Sequence, residues 1–513
     1  MSFSRRRFMK LAAALSGAAV VPGAGARITS LVHDQMDIGF RPALLPSQRE
    51  SWDQLVWMAK LGPKYTGNPA HVEFVDYLVK NLQSCGLEVQ RDHYSLPRWE
   101  AHRCALDVHT TSGASLKLPV TSYYPYSGET PAEGVTGEIA YLGTFQSIYP
   151  DVANHSRGAG SSKPTAPPVF SQDLQGKIVF VECPVLPTNM QEWFRVRGGD
   201  PADITISSAF QRTHWGTVGV LTDFKKAGAL GVILGWTNIS DENAADQYAP
   251  FSMPHQGIPG IYIGRESTAK LKDLAASGVK ATLVLAANIT PDSPTDTLYS
   301  LLPGTSTDEI IMVQTHTDGP NALEENGGIA ILALAKYFSQ IPQAERKRTL
   351  MFVLTTGHFA LPYVGSIRAF IEKHPDLIKK TVASVTIEHV GAREWADDES
   401  MHYGPTGKNE LAFAQATHDS IVKVLQECLE DSGDERTAIL TPNPGHRWAG
   451  EGGGVNQAGV PEIGYIVIPN YLCAGPANGC IERLIPERMH AEIAMFAKVI
   501  HKYDAMSAAE LRG

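Results

Sequence analysis

The chain is poor in the residues that would place it in several common classes. It has six cysteines in 513 residues, Cys85, Cys104, Cys183, Cys428, Cys473 and Cys480. No two of them form a CxxC pair, which argues against a cysteine-rich zinc site. Cationic charge is also short: 44 Lys and Arg stand against 54 Asp and Glu, a net charge of −10. No basic face for nucleic acid or an anionic membrane is expected. No apolar run reaches the roughly 20 residues of a transmembrane helix. No internal repeat is visible. The glycine run Gly452-Gly453-Gly454 lacks the following Lys-Ser/Thr of a phosphate loop.

What is present begins at the N-terminus. Ser4-Arg5-Arg6-Arg7-Phe8-Met9-Lys10 is a twin-arginine export motif. A short apolar run, Leu11 to Val21, follows, and Ala24-Gly25-Ala26 offers a small-residue cleavage site. The expected leader is 1–26, with a periplasmic or extracellular destination. Its removal takes away three Arg and one Lys, so −10 becomes −14. About 490 residues remain, enough for two or three domains. In an exported chain, the loop CAGPANGC between Cys473 and Cys480 fits a stapling disulfide or two unpaired buried thiols.

Periodicity predicts helices over 47–60 and 72–85, with the polar loop GPKYTGNPAH before the second. The strand LEVQRDHYSL follows. Residues 122–175 are rich in Tyr, Gly, Pro and Ser, as in a lid, a binding loop or an insertion. Strands are then expected at 176–182 and 258–263, a helix end running into a strand over 224–234, and a helix at 267–276. From about 295 the alternation resumes. Strands are expected at 309–315, 348–355, 381–387 and 462–468. Helices are expected at 327–340, 364–373, 409–429 and 486–503. Alternating strands and helices predict an α/β fold with a mostly parallel sheet sandwiched by helices.

Four chemistry-bearing clusters fall just past predicted strands or open the next helix: His316-Thr317-Asp318, Glu324-Glu325, His358 and Glu388-His389. In parallel α/β sheets such strand ends share one crevice. His and Glu side chains meeting there are zinc-type ligand chemistry. Asp318 is placed to hold the second nitrogen of a metal-bound His316. His389 follows Glu388 directly, so on a strand it would point to the opposite face. It is therefore expected beside the site or in the core, the alternative being a differently built site in which His358 or His389 is itself a ligand.

These motifs resemble the exported zinc aminopeptidase family that includes bacterial leucyl aminopeptidase and, more distantly, glutamate carboxypeptidase. GPKYTGNPAH, HTD, ENGGIAILALA, RTLMFVL with the later Gly365-Ser366, and QAGVPEIGYIV carry the likeness. The strand GKIV, the turn AGALGVIL and the strand IPGIYI resemble a β-rich protease-associated domain inserted into such enzymes. The resemblance implies a catalytic domain at 27–117 and 291–513, interrupted by an insertion at 118–290. It also implies a two-zinc site.

Carried over, His316 and Asp318 match H-x-D, Glu324 falls at the bridging carboxylate, with Glu325 as the alternative, and Glu388 at the later Asp. The family's Glu-Glu pair falls on His358 and Phe359. Its final His is expected after a tyrosine, where Tyr471-Leu472-Cys473 stands. The implied site therefore keeps one divalent ion, a Zn2+, on His316, Glu324 and Glu388. His358 replaces the general base, and Asp318, counted with it among the catalytic residues, supports His316. Glu325, His389 and His446 are candidate substrate contacts. Two functions follow: a metal-dependent hydrolase acting on a peptide or small-molecule amide, or a peptidase-like binding module that has lost catalysis. Metal content separates them.

Overall fold

The computed structural model describes residues 39–150, 166–185, 188–199, 204–206, 221–430, 432, 436–445 and 448–513. The expected leader, 1–26, and His446 lie outside the described residues. Two short elements open the unit that begins at Pro42. Helix α1 spans Gln48–Ala59, and the Ser47 side chain caps it by accepting from the Glu50 amide. Helix α2 spans Pro69–Ser84, with Asn68 as cap and proline in its first turn. The polar loop GPKYTGNPAH is thus the entry to a capped helix.

Fifteen described strands form one continuous sheet. They are β1 (Val89–His109), β2 (Ser115–Leu118), β3 (Val120–Tyr123), β4 (Val135–Thr144), β5 (Ile178–Cys183), β6 (Phe194–Gly199), β7 (Gly231–Trp236), β8 (Gly260–Ile263) and β9 (Lys280–Leu302). After them come β10 (Ser306–His316), β11 (Arg348–Thr355), β12 (Thr381–Ile387), β13 (Ala412–Ala416), β14 (Thr437–Pro442) and β15 (Glu462–Val467). The order is β3-β8-β7-β5-β4-β9-β11-β10-β12-β15-β13-β14-β6, with β1 on β9 and β2 on β1. Strands β11, β10, β12 and β15 are mutually parallel. A smaller parallel set, β8, β7, β5 and β4, extends the sheet beyond β9. This extra region also carries helix α3, Arg265–Ala275.

Burial explains why the central strands read as unbroken apolar runs. Every residue of β11 and β12 is buried, as expected for parallel strands covered on both faces. Ile310, Met312, Met351 and Val353 pack with Ile367 and Phe370 of helix α5, Ser366–Lys373. Their alternate neighbours Ile311, Val313 and Phe352 are also fully buried and, by strand alternation, face the other way. Helix α4, Gly327–Ser339, packs with α1, α2 and the long helix α6, Pro486–Ala505. Its sequence GGIAILALA is apolar all round because nearly all of it is buried. Each such Leu or Ile contributes about 1.5–3 kcal/mol by leaving water. Gly327 lets that helix start close to the sheet. A Cβ there would lie 2.2 Å from Thr315 Oγ1 and 2.4 Å from the Ile387 carbonyl.

One predicted element is different. The helix expected over 409–429 is a strand, β13, followed by a helix, Asp419–Glu430. The small residues of AFAQA favour helix locally. Pairing with β15 on one side and β14 on the other overrides that preference. Cys473 and Cys480 are free, buried thiols rather than a disulfide. No helix among the described residues is long and apolar enough to cross a membrane.

Candidate metal centre

His316 is the last residue of β10, and its ring is fully buried. Its Nδ1 lies 3.0 Å from the Asp318 carbonyl oxygen. A carbonyl can only accept, so the proton is on Nδ1 and Nε2 carries the lone pair. The carboxylate of Asp318, expected in that role, is engaged elsewhere. It accepts from Thr66 Oγ1 at 2.5 Å, from the Phe359 amide at 2.9 Å and from the His358 amide at 3.3 Å. The backbone of residue 318 therefore orients His316, while its side chain fastens the loop that carries His358.

Glu324 and Glu388 come from the turn before Gly327–Ser339 and from the end of β12. Glu388 Oε2 is 3.6 Å from His316 Nε2. Glu324 Oε2 is 3.2 Å from His389 Nε2, and its Oε1 is 3.7 Å from His358 Nε2. Glu325 is not with them. Its carboxylate is buried 2.6 Å from Lys64 Nζ, so it forms an internal ion pair rather than a substrate contact. Burial still pushes the Glu325 carboxyl up to about 7, against the pull of Lys64.

His389 departs most from expectation. Its φ is +63°, in the left-handed region, so strand alternation ends before it. Asn326 fixes the turn: it accepts from the Val390 amide at 2.9 Å and donates to the Val390 carbonyl at 2.7 Å. The imidazole then enters the same crevice as Glu388. Its Nδ1 donates to the Val467 carbonyl at 2.7 Å, which leaves Nε2 facing Glu324.

His358 follows Gly357 in a short turn after β11. Its ring stacks on His316 with centroids 4.1 Å apart. Its Nδ1 meets Glu451 Oε1 at 2.5 Å. Three imidazoles are thus held through Nδ1 by oxygen acceptors, and three Nε2 atoms face two carboxylates. Two overlapping ligand sets result, His316–His358–Glu388 and His316–Glu324–His389, with ligand atoms within 4.8 Å of one another in each. The set expected from sequence, His316–Glu324–Glu388, is divided between them.

Electrostatics follow from burial and crowding. Desolvation, then the neighbouring His358 and His389, holds His316 well below its ordinary value. Burial lowers His358, but the charge and hydrogen bond of Glu451 outweigh it and push the imidazole up to about 9. Burial pushes Glu388 up to about 7. His316 Nε2 and Glu388 Oε2 are buried without a hydrogen-bond partner, and Glu324 Oε2 and His389 Nε2 face only each other, 3.2 Å apart. Orphaned buried groups of this kind carry a large cost. A divalent cation at either ligand set would satisfy the atoms of that set, and mixed nitrogen and carboxylate donors suit a zinc-type ion. The residues present fit such a group.

Some of the surrounding framework was not apparent from sequence. His71 Nε2 meets Thr317 Oγ1 at 2.8 Å, and the backbone of Lys64 bridges that of Gly319. The loop GPKYTGNPAH therefore clamps the HTD turn. Glu451 lay unnoticed in a glycine-rich loop with no periodicity.

No family model matches the chain. It is 27% identical over 164 residues to a probable lipoprotein aminopeptidase of Mycobacterium tuberculosis. That match covers 32% of this chain and 29% of the relative, so the chain spans less than a third of the curated protein it matches. A zinc aminopeptidase from Bacillus subtilis superposes with a TM-score of 0.59 at 14% identity, covering 91% of this chain and 98% of that one. A peptidase precursor from Shewanella amazonensis gives 0.61 at 15% identity, with 89% and 97% covered. An aminopeptidase from an Aneurinibacillus strain gives 0.58 at 15% identity, with 88% and 93% covered. The chain has the mostly parallel α/β fold of zinc aminopeptidases, with a small additional β region.

Proposed function

We propose that this protein is an exported, metal-dependent hydrolase that cleaves an amide or peptide bond. One observation carries the reading: two overlapping sets of buried ligand atoms, His316–His358–Glu388 and His316–Glu324–His389, share His316. Three of these residues would hold one Zn2+ and leave a fourth position for water. When bound, such an ion polarises a carbonyl and makes a water more acidic.

His358 takes the proton in this reading. It is the most exposed member of the cluster, with 12% of its side chain accessible against 3% or less for the other four. Its Nε2 faces the same space, within 3.7 Å of Glu324. Its Nδ1 is already committed to Glu451. Against burial, Glu451 pushes this imidazole up to about 9. A cation beside it would lower that value by like-charge repulsion, leaving a group that can accept a proton from water and return it to a leaving amine. Phe251, from the extra region, stacks on its other face at 5.0 Å and limits access.

The likeness to aminopeptidases supports a peptide or small amide as substrate. The lipoprotein relative supports export, for which the twin-arginine leader is the proposed route. Residues 118–290 are proposed as an inserted domain of protease-associated type.

The test is metal content, followed by activity. Protein purified from a zinc-replete host should carry one equivalent of zinc, and His316→Ala should carry none. Aminoacyl nitroanilides should be hydrolysed by the zinc form and not after chelation. Metal-free wild-type protein would overturn the proposal.

A further inference from the structure

We propose that Asn321 is the positioning residue of Glu324, clamping the turn that carries this ligand to the loop at 471–474. The inference rests on the metal-binding reading above, with Glu324 in the ligand set His316–Glu324–His389. Glu324 stands on neither a strand nor a helix. Residues 322–326 form a turn, and α4 starts only at Gly327. Regular backbone hydrogen bonding therefore leaves the direction of its carboxylate open, and a group outside the turn has to fix it.

Asn321 does so with a carboxamide that is fully buried. Its Oδ1 accepts from the Leu323 amide at 2.9 Å and from the Glu324 amide at 3.1 Å. Its Nδ2 donates toward the carbonyls of Tyr471 at 3.0 Å, Leu472 at 2.8 Å and Ala474 at 2.8 Å. Backbone amides only donate and carbonyls only accept, so the neighbours permit one orientation of this carboxamide. The same counting explains the residue type. Aspartate would turn an acceptor toward three carbonyls, and leucine would leave the two turn amides without their acceptor.

A clamp positions only if its far end is fixed, and the loop at 470–475 is held by the extra region. The Tyr248 amide donates to the Cys473 carbonyl at 2.8 Å, and the Gly475 amide to the Asp246 carbonyl at 2.9 Å. Gln247 Nε2 donates to the Asn470 carbonyl at 3.0 Å, and Gln247 pairs with Ala474 in an isolated bridge. Glu324 is thus braced, through Asn321, against a loop that the extra region keeps in place. The segment Tyr471-Leu472-Cys473, where a histidine ligand was expected, serves the site through its carbonyls instead.

Metal binding by the whole protein tests this, with Zn2+ for affinity and Co2+ as the spectroscopic probe. Asn321→Ser keeps a short acceptor for the turn amides but is too short to reach the carbonyls at 471–474, so it severs the clamp alone. Its zinc Kd, measured by competition with a chromophoric chelator, should rise about 10-fold. That of Asn321→Ala should rise up to about 100-fold, the range for groups that orient metal ligands. The visible absorption of the Co2+ form should change in both, because the ligand field records how Glu324 is placed. Should Asn321→Ala fail to fold, Asn321→Ser decides. A wild-type zinc Kd and cobalt spectrum in Asn321→Ser would overturn the proposal. That holds even if its metal-free form unfolds at lower urea, which is the mark of a merely structural role. Wild-type protein that binds no zinc would overturn the hydrolase reading and this inference together, so the wild-type measurement tells the two failures apart.

Discussion

Thr66 Oγ1 lies 2.5 Å from Asp318 Oδ2, a hydrogen bond between residues 252 apart in sequence. It joins the entry of α2 to the turn after β10, and the same carboxylate holds the amides of His358 and Phe359. Asp318→Ala removes one buried acceptor from three donors. We expect a loss of roughly 2–3 kcal/mol in urea unfolding, the scale of a charged hydrogen bond and its orphaned partners. Turnover should fall as well, because the His358 loop is released. A variant with wild-type stability would refute this account of the loop.

The buried pair of Lys64 and Glu325 gives a second expectation. Both side chains are inaccessible and their charges are 2.6 Å apart. Lys64→Met strands the carboxylate and should cost about 3–5 kcal/mol. Adding Glu325→Leu should recover much of that loss, since the pair itself contributes little beyond its own desolvation. Denaturant midpoints of the single and double variants measure both values. If the double variant is no better than the single one, the pair is not the cause.

Removing metal should destabilise the fold around the site. A ligand present at 1,000 times its Kd stabilises by about 4 kcal/mol. Chelation should therefore lower the thermal midpoint by several degrees, and stoichiometric zinc should restore it. The shift should vanish in His316→Ala. A midpoint indifferent to chelator would contradict an ion held by buried ligands.

Glu410 predicts a pH dependence away from the site. Burial, then the nearby Glu394, pushes its carboxyl from 4.5 up to about 7, against Arg436 and Arg488. Its folded-state pKa is raised, so its contribution to stability is complete below about pH 4.5. That contribution is lost as the pH rises through 7. The loss amounts to about 3 kcal/mol by 8. E410Q should erase this part of the dependence. Unfolding free energies of both proteins at pH 5 and pH 8 give the difference, and equal slopes would disprove it.

Much of the fold was legible because the central strands are apolar runs bounded by polar turns. The positions of His316, Glu324, His358 and Glu388 at strand ends follow from that alternation. AFAQA was misread because alanine-rich segments favour helix until a sheet pairs with them. His389 was placed on the wrong face because alternation was extended one residue past the strand. Nothing local announces a φ of +63°.

The α/β class and the chemical types near the crevice are readable along the chain, since both depend on periodicity and residue identity. Which groups meet depends on packing. Glu451 reaches His358 across 93 residues, and Glu325 is taken by Lys64 while Glu324 faces the histidines. The physical reason is range. Periodicity records which face of an element is buried. Hydrogen bonds and charges act over a few ångströms, between residues that only the packed chain brings together.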